Sequence, residues 1–140
     1  MVRDSDFHIL EMLRENSRTS FVKIGEDIGV TEAAIRKRVK KFQEKGIIRR
    51  FTIDINPKRM GLEMDALIGI DTTPESYMKV IEKVKSIDQI ISVYSCSGDH
   101  MILIQVWLKN SDALSEFTKK LEGINGVTKI CPALITERIK

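Results

Sequence analysis

With 140 residues, 31% of them charged and a formal net charge of +3, the chain has the length of one domain or two small ones. Its longest apolar runs are strand-sized, too short to cross a bilayer, and its start, "MVRDSDFHIL", lacks signal-peptide features, so a soluble cytoplasmic protein is expected. Cys96 and Cys131 show no paired spacing, which argues against a disulfide framework and a zinc site.

In chain order, "DSDFHILEMLREN" places Phe7, Leu10, Met12 and Leu13 on an apolar stripe, with Asp4 or Ser5 as cap and His8 packed in the helix. "TSFVKIGEDIGV" begins at a Thr19/Ser20 cap and aligns Phe21, Ile24 and Ile28 at helical spacing. Gly29 then breaks the helix, because it can take the left-handed conformation of a tight turn. Thr31 caps the third helix, which buries Ile35, Val39 and Phe42 on one side, and Gly46 closes it. "RFTIDI" alternates Phe51, Ile53 and Ile55 with Thr52 and Asp54, the pattern of a half-buried strand.

The charge is local. Residues 1–56 hold 12 Lys and Arg against 9 Asp and Glu, whereas residues 57–140 hold 11 of each. From Arg36 to Arg50 there are eight basic residues and one acid, a net of +7, as an anion-binding surface requires. Two helices that cross closely over a short turn need a small residue at the contact, here Gly25, and a glycine at the bend, here Gly29. That is the helix-turn-helix arrangement, whose second helix enters the major groove. A plain helical hairpin would need the glycines but not the charge, so the combination predicts DNA binding. The strand at 51–55 would be a wing or connector.

"NPKRMG" reads as a linker, centred on 57–61. Beyond it "MDALIGIDTT" is a strand, and Thr73-Pro74 starts a helix with Tyr77, Val80, Ile81 and Val84 inward. "IISVYSCS" and "MILIQVWL" are strands joined at Gly98-Asp99. Ser111 caps a helix with Leu114, Phe117 and Leu121 inward, and "VTKICPALITERI" is the last strand. The βαββαβ order is a ferredoxin-like unit. The fold class is therefore α+β, with a winged helix-turn-helix domain at 1–56, a linker at 57–61 and a ferredoxin-like domain at 62–140.

In that topology the sheet order is 4-1-3-2, and Pro132 falls on an edge strand, where a missing N–H is tolerated. The two cysteines stand on opposite edges, about 14 Å apart and well beyond the roughly 7 Å reach of a disulfide; two buried thiols are expected. The two helices cover one sheet face, yet "ALIGI" and "MILIQVW" read as apolar on both. A large uncovered apolar face is an interaction surface. Dimerisation through it would pair two helix-turn-helix units for adjacent major grooves.

For the groove face, Arg36 and Lys37 lie nearest the helix N-terminus, with Lys40 and Lys41 further along. Arg can engage guanine bidentately, and Ala33 is small enough to meet a thymine methyl. Ser20 and Thr31 cap helices whose N-termini offer N–H groups to phosphate. Arg38 lies nearer the apolar side, where a structural ion pair or a phosphate contact is expected rather than base reading. No nucleophile–base pair and no phosphate-binding glycine loop is present, and no metal or cofactor is indicated, so the chain does not read as an enzyme.

These features resemble the leucine-responsive/asparagine-responsive (Lrp/AsnC) regulators. The resemblance rests on "DFHILEMLRENSRTSFVKIGEDIGVTEAAIRKRVKKFQEKGIIRRF" and "YSCSGDHMILIQVW", and covers nearly the whole chain. It implies a transcription regulator that binds double-stranded DNA, dimerises through its ferredoxin-like domain and assembles into octamers of four dimers. It also implies an amino-acid effector bound between dimers near the hairpin Ser97, Gly98, Asp99, His100 and Met101. Many members read Gly, two residues, then Asp in that hairpin; here Met101 stands where the acid would face a ligand ammonium group. The alternative is an architectural protein that coats DNA with little sequence preference and no effector.

Overall fold

The structure, a computed structural model, describes residues 3–140. The chain divides into two compact units, Met1–Ile55 and Asn56–Lys140.

The first unit contains α1 (Asp4–Glu15), α2 (Phe21–Ile28) and α3 (Glu32–Glu44). Their shared core is Ile9 and Leu13 from α1, Ile24 from α2, and Ile35, Val39 and Phe42 from α3. Each fully buried aliphatic side chain of this kind contributes about 1.5–3 kcal/mol. Three expectations need correction here. Phe7 is 58% exposed while Ile9 is fully buried, because the two stand about 200° apart around the helix. His8 does not pack in a core; it is exposed and its Nε2 meets Asp27 Oδ2 at 2.5 Å, linking α1 to α2. The α1 cap is Arg3, whose N–H donates to Asp6 Oδ2 at 3.3 Å.

The expected strand at Phe51–Ile55 is absent as well. Residues 49–56 have no regular secondary structure, and Phe51 and Ile53 are 46% and 73% exposed. Alternation makes a strand only where a neighbour completes the ladder.

The second unit begins with a 3-10 turn, Pro57–Met60, inside the expected linker. It continues with β1 (Met64–Thr72), α4 (Tyr77–Lys85), β2 (Ile90–Ser95), β3 (Ile102–Leu108), α5 (Ser111–Glu122) and β4 (Val127–Leu134). The sheet order is β2-β3-β1-β4, all pairs antiparallel, which is the expected ferredoxin-like arrangement. Pro132 lies on edge strand β4, and the other edge strand, β2, carries a register shift between Ile90 and Ser92. Asn110, not Ser111, caps α5, its side chain accepting from the Ala113 N–H.

Residues directly opposite in an antiparallel pair share a face. The pairs Ala66–Val106, Ile68–Ile104 and Ile70–Ile102 therefore face the helices, and all six residues are fully buried with Val80, Val84, Phe117 and Leu121. The pairs Asp65–Trp107, Leu67–Gln105 and Gly69–Leu103 line the other face, which is mixed and not uniformly apolar. Gln105 Nε2 donates to Asp65 Oδ1 across it at 2.8 Å. Both cysteines are free, but Cys96 is exposed just beyond β2 and Cys131 is only half-buried, so neither is the buried thiol expected.

Candidate DNA-binding helix and effector hairpin

The turn between α2 and α3 is set by its glycines and caps. Ser20 Oγ accepts the Lys23 N–H at 3.1 Å, and Thr31 Oγ1 accepts the Ala34 N–H at 3.2 Å. Gly29 ends α2 at φ 76°, and its N–H donates back to the Gly25 carbonyl. That carbonyl also accepts the Val30 N–H at 2.9 Å. Gly25 is buried against the following turn: a Cβ there would stand 2.5 Å from the Val30 carbonyl oxygen. The absence of a side chain lets α3 start that close to α2.

The close crossing leaves one side of α3 exposed. Ala33, Lys37, Lys40 and Lys41 are all exposed, with Lys40 Nζ 3.9 Å from Glu44 Oε1. Arg36 is exposed but tethered. Its guanidinium pairs with Glu32 one turn back and lies 5.5 Å from the centroid of the Phe21 ring on α2, a cation–π contact. Arg38 turns to α1, where Nη1 donates to Ser5 Oγ at 3.1 Å and Asp6 Oδ1 at 3.4 Å. The side chains of this pair are 27% and 16% exposed, so Arg38 clamps α1 to α3. The residues brought together as an outward basic surface are thus Lys37, Lys40 and Lys41 around Ala33.

In the β2–β3 hairpin, Ser97, Gly98 and Asp99 are exposed and His100 and Met101 half-buried. The backbone reverses at Gly98, φ 123°. The hairpin is held by a residue that the sequence reading missed, Asp71 on β1. Its Oδ1 accepts the Met101 N–H at 3.1 Å, and its Oδ2 lies 3.1 Å from His100 Nδ1. The hydrogen bond from His100 is the main influence holding the Asp71 carboxyl below its ordinary value; the Met101 N–H and the charges of His100 and Lys129 add to it, against a smaller opposing effect of burial. The His100 ring fills the space a side chain at Gly69 would need. The Met101 side chain packs against the helix-side core, so position 101 points away from the hairpin surface, and the carboxylate beside this hairpin comes from β1. A charged residue ending the apolar run "ALIGID" was the available signal.

Among the described residues no group of three or more His, Cys, Asp or Glu could hold a metal ion, and no helix is long and apolar enough to cross a membrane.

A helix-turn-helix unit with an exposed basic second helix, followed by a ferredoxin-like unit with one uncovered sheet face, defines a class of two-part DNA-binding regulators. Family models agree: residues 2–49 match winged helix-turn-helix DNA-binding domains, and residues 65–140 match the Lrp/AsnC ligand-binding domain. The chain belongs to the Lrp/AsnC family of transcriptional regulators. It is 44% identical over 141 residues to the HTH-type transcriptional regulator LrpA of Pyrococcus abyssi, covering 100% of both chains. It is 43% identical, with the same coverage, to LrpA of Pyrococcus horikoshii. The structure of E. coli AsnC superposes with a TM-score of 0.85 at 27% identity, covering 100% of this chain and 95% of that one.

Proposed function

We propose that the chain is a sequence-specific regulator in which residues 1–56 bind duplex DNA and residues 62–140 dimerise and sense an amino acid. The observation that carries this reading is the exposed set Lys37, Lys40 and Lys41 around Ala33 on a helix whose approach to α2 is fixed by Gly25. Lys supplies phosphate charge, and a small apolar residue between the lysines can meet a thymine methyl. Arg36 reaches a base only by leaving Glu32 and Phe21. It therefore contributes to specificity at the cost of two contacts, while Arg38 acts on DNA only through the position of α1. Ser20 and Thr31 keep their hydroxyls on helix N–H groups, so a phosphate there meets the remaining donors of each first turn.

Dimerisation runs through the uncovered sheet face, where Leu67, Leu103 and Trp107 supply apolar surface and the Asp65–Gln105 pair supplies register. The family resemblance extends this to octamers. The effector reading rests on the hairpin, where Ser97, Gly98 and Asp99 present exposed backbone and Asp71 places a carboxylate for an ammonium group. An amino acid bound there shifts DNA affinity or assembly through its different affinity for the two states.

Selection of bound duplexes from a random pool, with and without mixed amino acids, tests the reading. A recovered palindromic motif, lost when Lys37 and Lys40 are replaced by Ala, is the expected result. Retention of every duplex alike would make the protein an architectural one. Calorimetry with each of the common amino acids at millimolar concentration tests the effector half, and absence of heat from all of them would remove it.

A further inference from the structure

On the helical side of the second unit, away from the uncovered sheet face, α4 and α5 enclose an open groove of about 470 Å³. Lys79 and Lys83 of α4 and Lys120 of α5 line it, above Ile87 and Ile124 and beside Asn125. An adjoining concavity shares Lys83, Lys120 and Ile87 and adds Asp88 as its carboxylate. Lysines that form side-chain ion pairs elsewhere are Lys40 and Lys85; among the described residues Lys79, Lys83 and Lys120 form none.

Helix electrostatics account for only part of this cluster. Lys83 and Lys120 lie in the last turns of their helices, where the macrodipole favours a cation. Lys79 lies in the first turn of α4, which contains no acidic residue, so a cation is disfavoured there, with Glu75 in the preceding 3-10 turn the one acid four residues before it. It is also one turn from Lys83, a like-charged i,i+4 pair that weakens the helix, with Lys120 facing the same space. Three ammonium groups around one concavity repel one another until an anion enters, and a concave site concentrates their field.

The volume admits an organic anion. It falls within the range of about 300–1,000 Å³ usual for small-molecule sites, far more than an inorganic phosphate needs. The base of the groove is apolar, made by Ile87 and Ile124, and Asn125 offers an amide that both donates and accepts. We infer that this groove binds an organic phosphate of the mononucleotide class, its phosphate among Lys79, Lys83 and Lys120 and its ring on Ile87 and Ile124.

Titration of the full-length protein with adenosine monophosphate, followed by calorimetry and by amide chemical shifts, is the test. Binding is expected, with shifts at Ile87 and Gly123–Asn125. Adenosine, which lacks the phosphate, should not bind, and glucose 6-phosphate, which lacks the flat ring, should bind more weakly. Lys83→Gln and Lys120→Gln should each weaken the nucleotide about tenfold, the scale of one charge-assisted hydrogen bond, with the melting temperature little changed, since the repulsion removed offsets the loss of a cation at the helix C-terminus. No binding up to millimolar nucleotide, or binding indifferent to both variants, overturns the inference. Equal affinity for glucose 6-phosphate overturns the ring's part in it. Loss of duplex affinity in the two variants, with no nucleotide bound, would make the groove a DNA contact and equally overturn it.

Discussion

Gly25→Ala is the sharpest test of how α3 is positioned. The added Cβ would stand 2.5 Å from the Val30 carbonyl oxygen, and real Cβ contacts essentially never fall below 3.0 Å. The difference, 3.0 minus 2.5, means α2 and the start of α3 must part by at least 0.5 Å. Ala gains about 1 kcal/mol of helix propensity over Gly. Overpacking costs about 1–3 kcal/mol, and the obstacle here is backbone, which cannot rotate aside, so the upper end applies. The net loss is about 2 kcal/mol, equivalent to roughly 8–16 °C in melting temperature for a unit of this size. Urea unfolding followed by helical circular dichroism should show the loss. The single tryptophan, Trp107, lies in the second unit, so its fluorescence reads that unit separately. DNA affinity should fall as well, because α3 no longer starts where Gly25 allows. Gly29→Ala serves as the control: its Cβ meets nothing, and only its φ of 76° is strained, a cost of about 1–2 kcal/mol. A Gly25→Ala protein with unchanged stability and DNA affinity would refute the reasoning.

Three further outcomes are expected. Lys37→Ala should reduce the slope of log affinity against log salt by about 0.9, the contribution of one phosphate contact; an unchanged slope places Lys37 off the DNA. Asp71 has a folded pKa below its ordinary 3.8, so its contribution to stability is present above that value and lost as pH falls through the folded pKa. Asp71→Asn should therefore flatten the acid limb of the stability curve, and identical limbs in the two proteins would show that the His100 and Met101 contacts do not stabilise the fold. Leu103→Asp, on the uncovered sheet face, should give a monomer in sedimentation at micromolar concentration, and a dimer with native Trp107 fluorescence would move the interface elsewhere.

What the sequence made legible follows from how local each signal is. The α2–α3 turn could be read because Gly25, Gly29, Ser20 and Thr31 act within a few residues of themselves. The sheet order followed from element order and the short Gly98-Asp99 connection. The anchor of the hairpin could not be read that way, because Asp71 and His100 are 29 residues apart and meet only through the β1–β3 register. Phe51–Ile55 had the right alternation but no ladder, and alternation reports a face, not a neighbour. Arg36 shows both cases. Its partner Glu32 is four residues back and open to a spacing argument, whereas Phe21 reaches it from another helix.

The two margins of the sheet bear on how this protein avoids uncontrolled growth. An outer strand offers free N–H and C=O groups on which a further chain can add, the first step toward fibres. On one side Pro132 withholds a donor near the middle of β4, and on the other the irregularity between Ile90 and Ser92 breaks the even spacing of β2. Neither border is a smooth template for strand addition. Open-ended growth by pairing at either edge is thereby disfavoured.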